Sequence, residues 1–437
     1  MNTLFLYNAT QTYTNTVFEH LNCFARYSVN RFFFGHQDQH MTFNFDLSRF
    51  DAVILHYSVR LPYDQVADST VEALRRYSGL KVLFIQDEYE YTHRAWYWIK
   101  RLGIHLVFTV VPPEGIARIY PPEQFPGVRF VSNITGYVPE ELPAENTILP
   151  PSTREVIVGY RGRPLPIRYG QLGQEKVGIG RLVKQYCTSN GIRHDIAWAE
   201  EARIYGSKWY EFIASCRAML GSESGSNVFD WDGTLASHAE AFLVINREAT
   251  NEKIYRAVIE PLEIPGIMNQ VSPRIFEAIV SRTVLVLFEG NYSGVVVPDR
   301  HFIPLKKDGS NLDDVFSLLR DSRYVDEMTE RAYQEIIVPG RYSYQAFVRM
   351  VDEQVAESIE SLELQKKGHL PEADMVDRGE QPSPLTTFPI RALPPQEQLK
   401  QNQLKRTFSK RIAHRAWGLL PEGVRKPLKP RLKKLLT

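Results

Sequence analysis

Glu277 follows Pro273 closely in Q-V-S-P-R-I-F-E-A-I-V-S-R, and the chain then runs through an apolar stretch into E-G-N-Y-S-G. Ser272 before Pro273 reads as a helix start, a cap residue followed by proline at the first helical position. The spacing predicts a short helix over Arg274–Ser281, with Ile275 and Ile279 on its apolar side and Glu277 off it. Val284–Phe288 is an apolar run of strand length, as expected of a parallel strand buried on both faces. The loop Glu289–Gly294 leaves the carboxyl end of that strand, which is where open α/β sheets bind ligands. A carboxylate near a helix start can accept two bonds from a ribose diol. Backbone N–H groups of a loop such as Asn291, Tyr292, Ser293 and Gly294 can meet a diphosphate. Together they suit a nucleotide, against the plainer reading of a helix–strand unit with a surface loop.

Other stretches offer related chemistry. Arg161-Gly162-Arg163 ends a predicted strand, and two guanidinium groups around a glycine suit a diphosphate because each offers paired donors. Surface salt bridging is the competing role for Arg161. Lys176 is a further cation of this kind. G-S-E-S-G-S-N, Gly221–Asn227, is a second Gly/Ser loop after a strand, where Glu223 and Ser224 can serve sugar or nucleoside hydroxyls. Its competing reading is a flexible turn. Asp87-Glu88 ends another predicted strand, and either carboxylate can act as a general base for a hydroxyl, Asp87 first. The same pair also suits the start of the helix that follows. His93 is a third candidate base, though a lone histidine is usually structural. Asp230-Trp231-Asp232 could hold Mg²⁺ or Mn²⁺, but the tripeptide is common by chance and reads better as a solvent-facing loop. G-x-S-x-G, H-E-x-x-H and P-loop patterns are missing, so hydrolase, metalloprotease and NTPase readings have no support.

P-R-I-F-E-A followed by E-G-N-Y-S-G-V resembles the donor-binding region of two-Rossmann-domain (GT-B) glycosyltransferases of bacterial surface-polysaccharide type. Y-R-G-R-P-L-P, continued by Y-G-Q-L-G-Q-E-K, resembles the start of the second domain in the same group. The resemblance implies that Glu277 faces the donor ribose and that Asn291–Gly294 face the diphosphate. It also implies helix N-termini and cations at the leaving diphosphate rather than a divalent metal, and no cofactor beyond the nucleotide-sugar co-substrate. Many retaining members carry a second Glu eight positions before the first; here that position is Asn269, so the paired-Glu mechanism does not transfer.

Elements that could position these residues alternate along the whole chain. Strands are expected at Thr3–Tyr7, Asp51–Ser58, Lys81–Gln86, Ile104–Val110 and Val128–Ser132, with helices between them at Thr16–Arg26, Ser69–Tyr77 and Tyr91–Lys100. A proline-bearing linker follows. The rhythm restarts with strands at Glu155–Tyr160, Ile192–Trp198 and Ala218–Gly221, and helices at Lys176–Ser189, Trp209–Cys216 and 237–245. The fold class is therefore α/β, with two Rossmann-like domains facing a cleft. Its expected parts are an acceptor domain at 1–140, a linker at 141–154, a donor domain at 155–340, and a helix at 341–365 returning to the first domain. The 437 residues, 43% of them hydrophobic, suffice for two or three cores. Three cysteines fit neither a disulfide framework nor a zinc site, which points to a reducing cytoplasm. No secretory lead-in and no apolar run of about 18 residues is present.

Charge is unevenly spread. Residues 401–437 carry 11 Lys/Arg and one Glu, a net +10 against +1 for the whole chain, which leaves −9 in residues 1–400. A proline-rich tether at 366–400 precedes this tail. Phe408, Ile412 and Trp417 then line one side of a predicted helix, with Lys405, Arg406, Lys410, Arg411 and Arg415 on the other. An anionic membrane surface or an acidic protein partner is expected for this tail ahead of nucleic acid. The combined expectation is a glycosyltransferase, peripheral on the cytoplasmic membrane face, moving a sugar from a nucleotide donor to a glycan or lipid-linked glycan acceptor in surface polysaccharide synthesis (O-antigen, capsule or lipopolysaccharide). A nucleotide-sugar epimerase and a non-catalytic nucleotide-sugar-binding scaffold are the alternatives.

Overall fold

The apolar runs of the sequence become the strands of two separate parallel sheets. The structure, a computed structural model, describes residues 1–8, 15–140 and 148–367. The tail from 368 onward, where the basic helix is expected from the sequence, lies outside the described residues. In the first sheet β1 (Asn2–Tyr7), β2 (Arg31–His36), β3 (Ala52–Leu55), β4 (Leu80–Ile85), β5 (Leu106–Thr109) and β6 (Arg129–Ser132) lie in the order β2-β1-β3-β4-β5-β6. Helices α1 (Asn15–Tyr27), α2 (Asp68–Arg76), α3 (Thr92–Leu102) and α4 (Pro113–Ile119) connect them.

The second sheet holds β7 (Val156–Arg161), β8 (His194–Ala197), β9 (Cys216–Gly221), β10 (Val284–Phe288) and β11 (Ile303–Leu305), in the order β11-β10-β9-β7-β8. Its helices are α5 (Gly170–Ser189), α6 (Ser207–Ser215), α7 (Leu235–Ile245), α8 (Asn251–Ile254), α9 (Pro273–Val280), α10 (Leu312–Arg320) and α11 (Ser322–Ala332). Counted from its own first strand, each sheet repeats the order 2-1-3-4-5, and the first adds a sixth strand. The order reverses between β1 and β3 and again between β7 and β9, the positions where a doubly wound sheet opens a crevice at its carboxyl edge. Two Rossmann-like domains facing a cleft are thus what the chain forms.

Several elements fall outside those expected from the sequence, among them β2, α4 and β11. Phe32, Phe33 and Phe34 of β2 are buried and β11 has three residues, and runs this short do not separate strand from helix by period. Helix α5 begins at Gly170, well before Lys176, so Lys176 occupies its second turn. The start is fixed by Glu263, whose Oε1 accepts the Gln171 N–H at 2.7 Å. A cap supplied from 92 residues away leaves no local mark in the sequence.

The last helix, α12 (Tyr344–Ser361), packs on the first domain. Phe347, Val348, Val351 and Val355 join Phe5, Phe24 and Phe84 in one core cluster. Asp352 pins the helix by accepting from the Ser28 hydroxyl at 2.7 Å, the Val29 N–H at 3.0 Å and the Asn30 amide at 2.9 Å. The domains also share apolar surface directly. Phe229, Ile267 and Met268 of the second enter the same cluster as Val110, Ile119 and Phe125 of the first. No helix among the described residues is long and apolar enough to cross a membrane.

Phe347→Ala removes a ring packed against Phe24, Phe84 and Tyr137. It is expected to lower stability by about 3–5 kcal/mol, read from denaturant unfolding; a loss under about 1 kcal/mol would mean α12 contributes little to the first domain.

Candidate functional site

A cavity of about 520 Å³ lies between the carboxyl edges of the two sheets. The second domain lines it with Tyr160, Arg163, Lys176, Ser222, Ser224 and Arg274; the first lines it with Arg60, Gln86, Asp87, Tyr89 and Glu90. Its chemistry is set by three cations. Lys176 reaches the cavity from α5 and donates to the Ser224 hydroxyl at 3.1 Å. Burial, then the charges of Arg274 and Arg163, pull its ammonium down to a pKa of about 8, with Asp87 acting in the opposite direction. Arg274 opens α9 and gives one N–H to the Arg161 carbonyl at 2.8 Å. Its guanidinium carbon stands 4.9 Å from the Tyr160 ring centre and 5.5 Å from that of Trp209. Its Nε is buried without a hydrogen-bond partner among the described residues. None of the three cations has a carboxylate within ion-pair distance among the described residues. Three positive groups that converge with no ion-paired carboxylate among the described residues suit an anion.

Helix α9 adds its amino end, since Ser272 and Pro273 also line the cavity and the Ser272 side chain makes no capping bond. At the start of helix α5 one of the free N–H groups, that of Gln171, is already taken by Glu263. Gly225 allows the tight fit of the neighbouring loop: at φ 108°, any Cβ there would stand 2.1 Å from the Met268 carbonyl.

A second cavity of about 270 Å³ shares the Arg163 and Arg274 walls and is otherwise lined by Gly162, Tyr205, Trp209 and Glu277, among others. Trp209 donates its indole N–H to Glu277 Oε2 at 2.8 Å. Burial raises the Glu277 carboxyl above its ordinary range, while Trp209 and Arg274 act against the rise. Glu277 thus carries a carboxylate oxygen and an aromatic neighbour in one recess, next to the cations. The i, i+3 spacing of Arg274 and Glu277 puts both on one helix face. That spacing was the signal available in the sequence for Arg274, which had not been singled out there.

On the first-domain wall the two adjacent acids part. Asp87, at φ 59°, is exposed in the cleft and accepts from the Tyr89 hydroxyl at 2.7 Å. Glu88 points the other way. It is fully buried, accepting from the Thr109 hydroxyl and, at 3.2 Å, from the Val110 N–H. Burial raises its pKa to about 8. With its side chain beneath β5, Glu88 cannot meet a ligand in the cleft, which removes it as a base.

Three further expectations are corrected by geometry. Arg161 is spent on structure: its guanidinium donates to the Ala202, Tyr160 and Asp195 carbonyls and pairs with the Asp195 carboxylate at 2.8 Å. Four of its five N–H groups are taken, which leaves no paired donors for a phosphate, and Arg161 lines the second cavity described above with one N–H group remaining. Glu223 is buried and clamps the Glu289–Gly294 loop, accepting the N–H groups of Asn291 at 3.1 Å and Tyr292 at 2.7 Å. Those two amides therefore do not face the cleft. Tyr292 itself is buried with its hydroxyl on the Phe288 carbonyl, Ser293 donates to Gln270 at 2.9 Å, and the Gly294 N–H closes a turn onto Asn291. Ser224, Arg163, Lys176 and Glu277 line the cavities as described. Asp230 and Asp232 stand in an irregular loop, with Asp232 exposed to solvent as expected. Asp230 caps α7 through the Thr234 N–H at 2.8 Å, and Asp232 pairs with His93 of the first domain at 2.7 Å. Among the described residues no group of three or more His, Cys, Asp or Glu is arranged to hold a metal.

No family model matches the chain, and no curated protein does. Among solved structures it is similar to TarM, with TM-score 0.41 and 11% identity over 70% of this chain; the match spans about half of TarM, 54%. It is also similar to an alpha-glucosyltransferase in complex with UDP and DNA (TM-score 0.45, 10% identity, 81% of this chain and 99% of that one). A third is Anabaena Alr3699/HepE in complex with UDP-glucose (TM-score 0.43, 13% identity, 83% and 100%). The functional reading below rests on this chain's own geometry.

Glu223→Ala strips the acceptor from two backbone donors. Hydrogen exchange at Asn291 and Tyr292 is expected to accelerate, with a stability loss of about 1–3 kcal/mol for the unmade bonds; unchanged protection of both amides would show that another group holds the loop.

Proposed function

We propose that the chain is a glycosyltransferase using a nucleotide-activated sugar, bound by the second domain and attacked by an acceptor hydroxyl held at the first. The observation that carries this is the convergence of Arg163, Lys176 and Arg274, none of them ion-paired among the described residues, on a cleft whose opposite wall presents Asp87. Cations without a counter-ion suit a diphosphate, and the adjoining recess with Glu277 and Trp209 suits a ribose and its base.

In this reading the acceptor oxygen forms a bond to the anomeric carbon as the bond to the diphosphate oxygen breaks. Asp87 takes the acceptor proton, and the electron pair leaves on the diphosphate, stabilised by Lys176, Arg163, Arg274 and the amino end of α9. A single displacement of this kind inverts the anomeric carbon. A glycan or lipid-linked acceptor, surface polysaccharide synthesis and attachment of the basic tail at 401–437 to an anionic membrane are the finer parts of the proposal. They draw on the sequence resemblance and on the charge of the tail.

Calorimetry with UDP, GDP, ADP and CDP tests the donor side. Binding of at least one is expected, weakened about tenfold or more by Lys176→Ala with the fold intact; failure of all four removes the enzyme reading. The affinity also has a pH signature. Lys176 is charged below its pKa of about 8 and neutral above it, so nucleotide affinity is expected to fall as pH rises through that value. A flat profile to pH 9.5 would take Lys176 out of the anion site.

Asp87→Asn keeps the shape and removes the base. Donor binding is expected to persist while turnover drops by about 10² to 10⁴. Equal turnover would place the base elsewhere, and binding without turnover in the unmodified protein would point to a scaffold.

A further inference from the structure

Outside the cleft, at the seam between the domains, lies a groove of about 510 Å³ that the proposed reaction does not use. Its walls combine the aromatic rings of Tyr91, Tyr97 and Trp231 with the polar groups of Asp64, Arg94 and Asp232. We propose that this groove is a distal binding site for an oligosaccharide, the extended part of the acceptor; this deepens the transferase reading and rests on it.

The chemistry is that of sugar recognition. Sugar rings present C–H faces that pack on aromatic rings, and hydroxyls that pair with carboxylates and guanidinium groups. Tyr97 is half exposed, with the Arg101 guanidinium carbon 5.7 Å from its ring centre and Trp98 edge-on at 5.1 Å. Arg94 and Asp64 are joined at 2.5 Å, and the second Asp64 oxygen holds the Trp98 indole N–H at 2.9 Å, which fixes the polar edge.

The groove is also built by both domains. His93 of the first bonds Asp232 of the second at 2.7 Å, and the Trp231 ring packs on His93 at 5.3 Å between centres. Gly233 makes room for Tyr91: a Cβ there would stand 2.1 Å from the Tyr91 ring. Both Tyr91, at φ 53°, and Asp64, at φ 55°, are held in the left-handed region that non-glycine residues avoid. Asp87, in the cleft, is another of the eight such residues among the described residues.

Position supplies the link to the reaction. Asp87 and Tyr91 are four peptide links apart, so their Cα atoms are at most about 15 Å from one another. Tyr89 and Glu90 between them line the cleft. In this proposal a chain of a few sugar units rests on Tyr97 and reaches Asp87 past the seam where the Asp230 N–H bonds the Tyr89 carbonyl and the His93 N–H bonds the Trp231 carbonyl. Such a groove would favour a polymeric or oligomeric acceptor over a free monosaccharide.

The test is a glycan microarray probed with the full-length protein and with Tyr97→Ala and Tyr97→Phe. Tyr97 is at the surface, so neither change threatens the fold. Binding to at least one oligosaccharide is expected, reduced about tenfold by Tyr97→Ala and kept by Tyr97→Phe, which retains the stacking face. Binding to no glycan, or equal binding by Tyr97→Ala, overturns the proposal. Calorimetry with UDP, GDP, ADP and CDP on the same preparations separates the two readings: any nucleotide bound with no glycan bound sinks the groove alone, and glycan bound with none of the four nucleotides bound sinks the donor site alone.

Discussion

Holding Arg163, Lys176 and Arg274 together without a carboxylate is the constraint on which the rest of the cleft depends. Like charges brought together and partly withdrawn from water repel, and the depressed Lys176 pKa of about 8 registers that cost. The compensation inside the protein is small. Among the described residues Arg274 has ring faces and one carbonyl, Lys176 has one hydroxyl, and the buried Arg274 Nε has no hydrogen-bond partner. An arrangement of this kind is stable in a folded chain only because other elements enforce it, and in the proposed function it is completed by an anion.

Those elements are identifiable. β7 and β9 flank the reversal of strand order and deliver Arg163 and Ser222 to the sheet edge. α9 aims Arg274 and Glu277 from one face into two adjoining cavities. Glu223 spends its charge on the loop after β10, which keeps a carboxylate away from the cations although it lies only one residue from Ser224. Gln270 then ties the halves of the molecule: its amide donates to the Val110 carbonyl of the first domain, its backbone pairs with Ser224, and its side-chain oxygen accepts from Ser293. The apolar contact of Ile267 and Met268 with the first-domain core fixes the width of the cleft around that residue.

Much of the architecture was legible because it is written locally. Buried parallel strands appear as continuous apolar runs, so β3, β4, β5, β7 and β10 could be placed within a few residues. The helix at Pro273 announces itself by Ser-Pro. The site was legible only as far as residue type and strand ends allow. Asp87, Arg163, Lys176, Ser224 and Glu277 stand on cavity walls where strand–loop logic put them. Arg161 and Glu223 carry the same residue types in the same kind of loop, yet Asp195 and two backbone amides claim them. Partners from 34 and 68 residues away decide which charge is spent and which is free, and no local pattern encodes that. The divergence of Asp87 and Glu88 has a similar origin, since a left-handed residue at the strand end sends neighbouring side chains to opposite sides.

The most direct measurement is a crystal structure of the protein soaked with the nucleoside diphosphate that binds it best. Phosphorus density between the Lys176 ammonium and the guanidinium groups of Arg163 and Arg274, with the ribose against Glu277, is the expected result. A nucleotide bound elsewhere, with those three cations still without an anion, would contradict it.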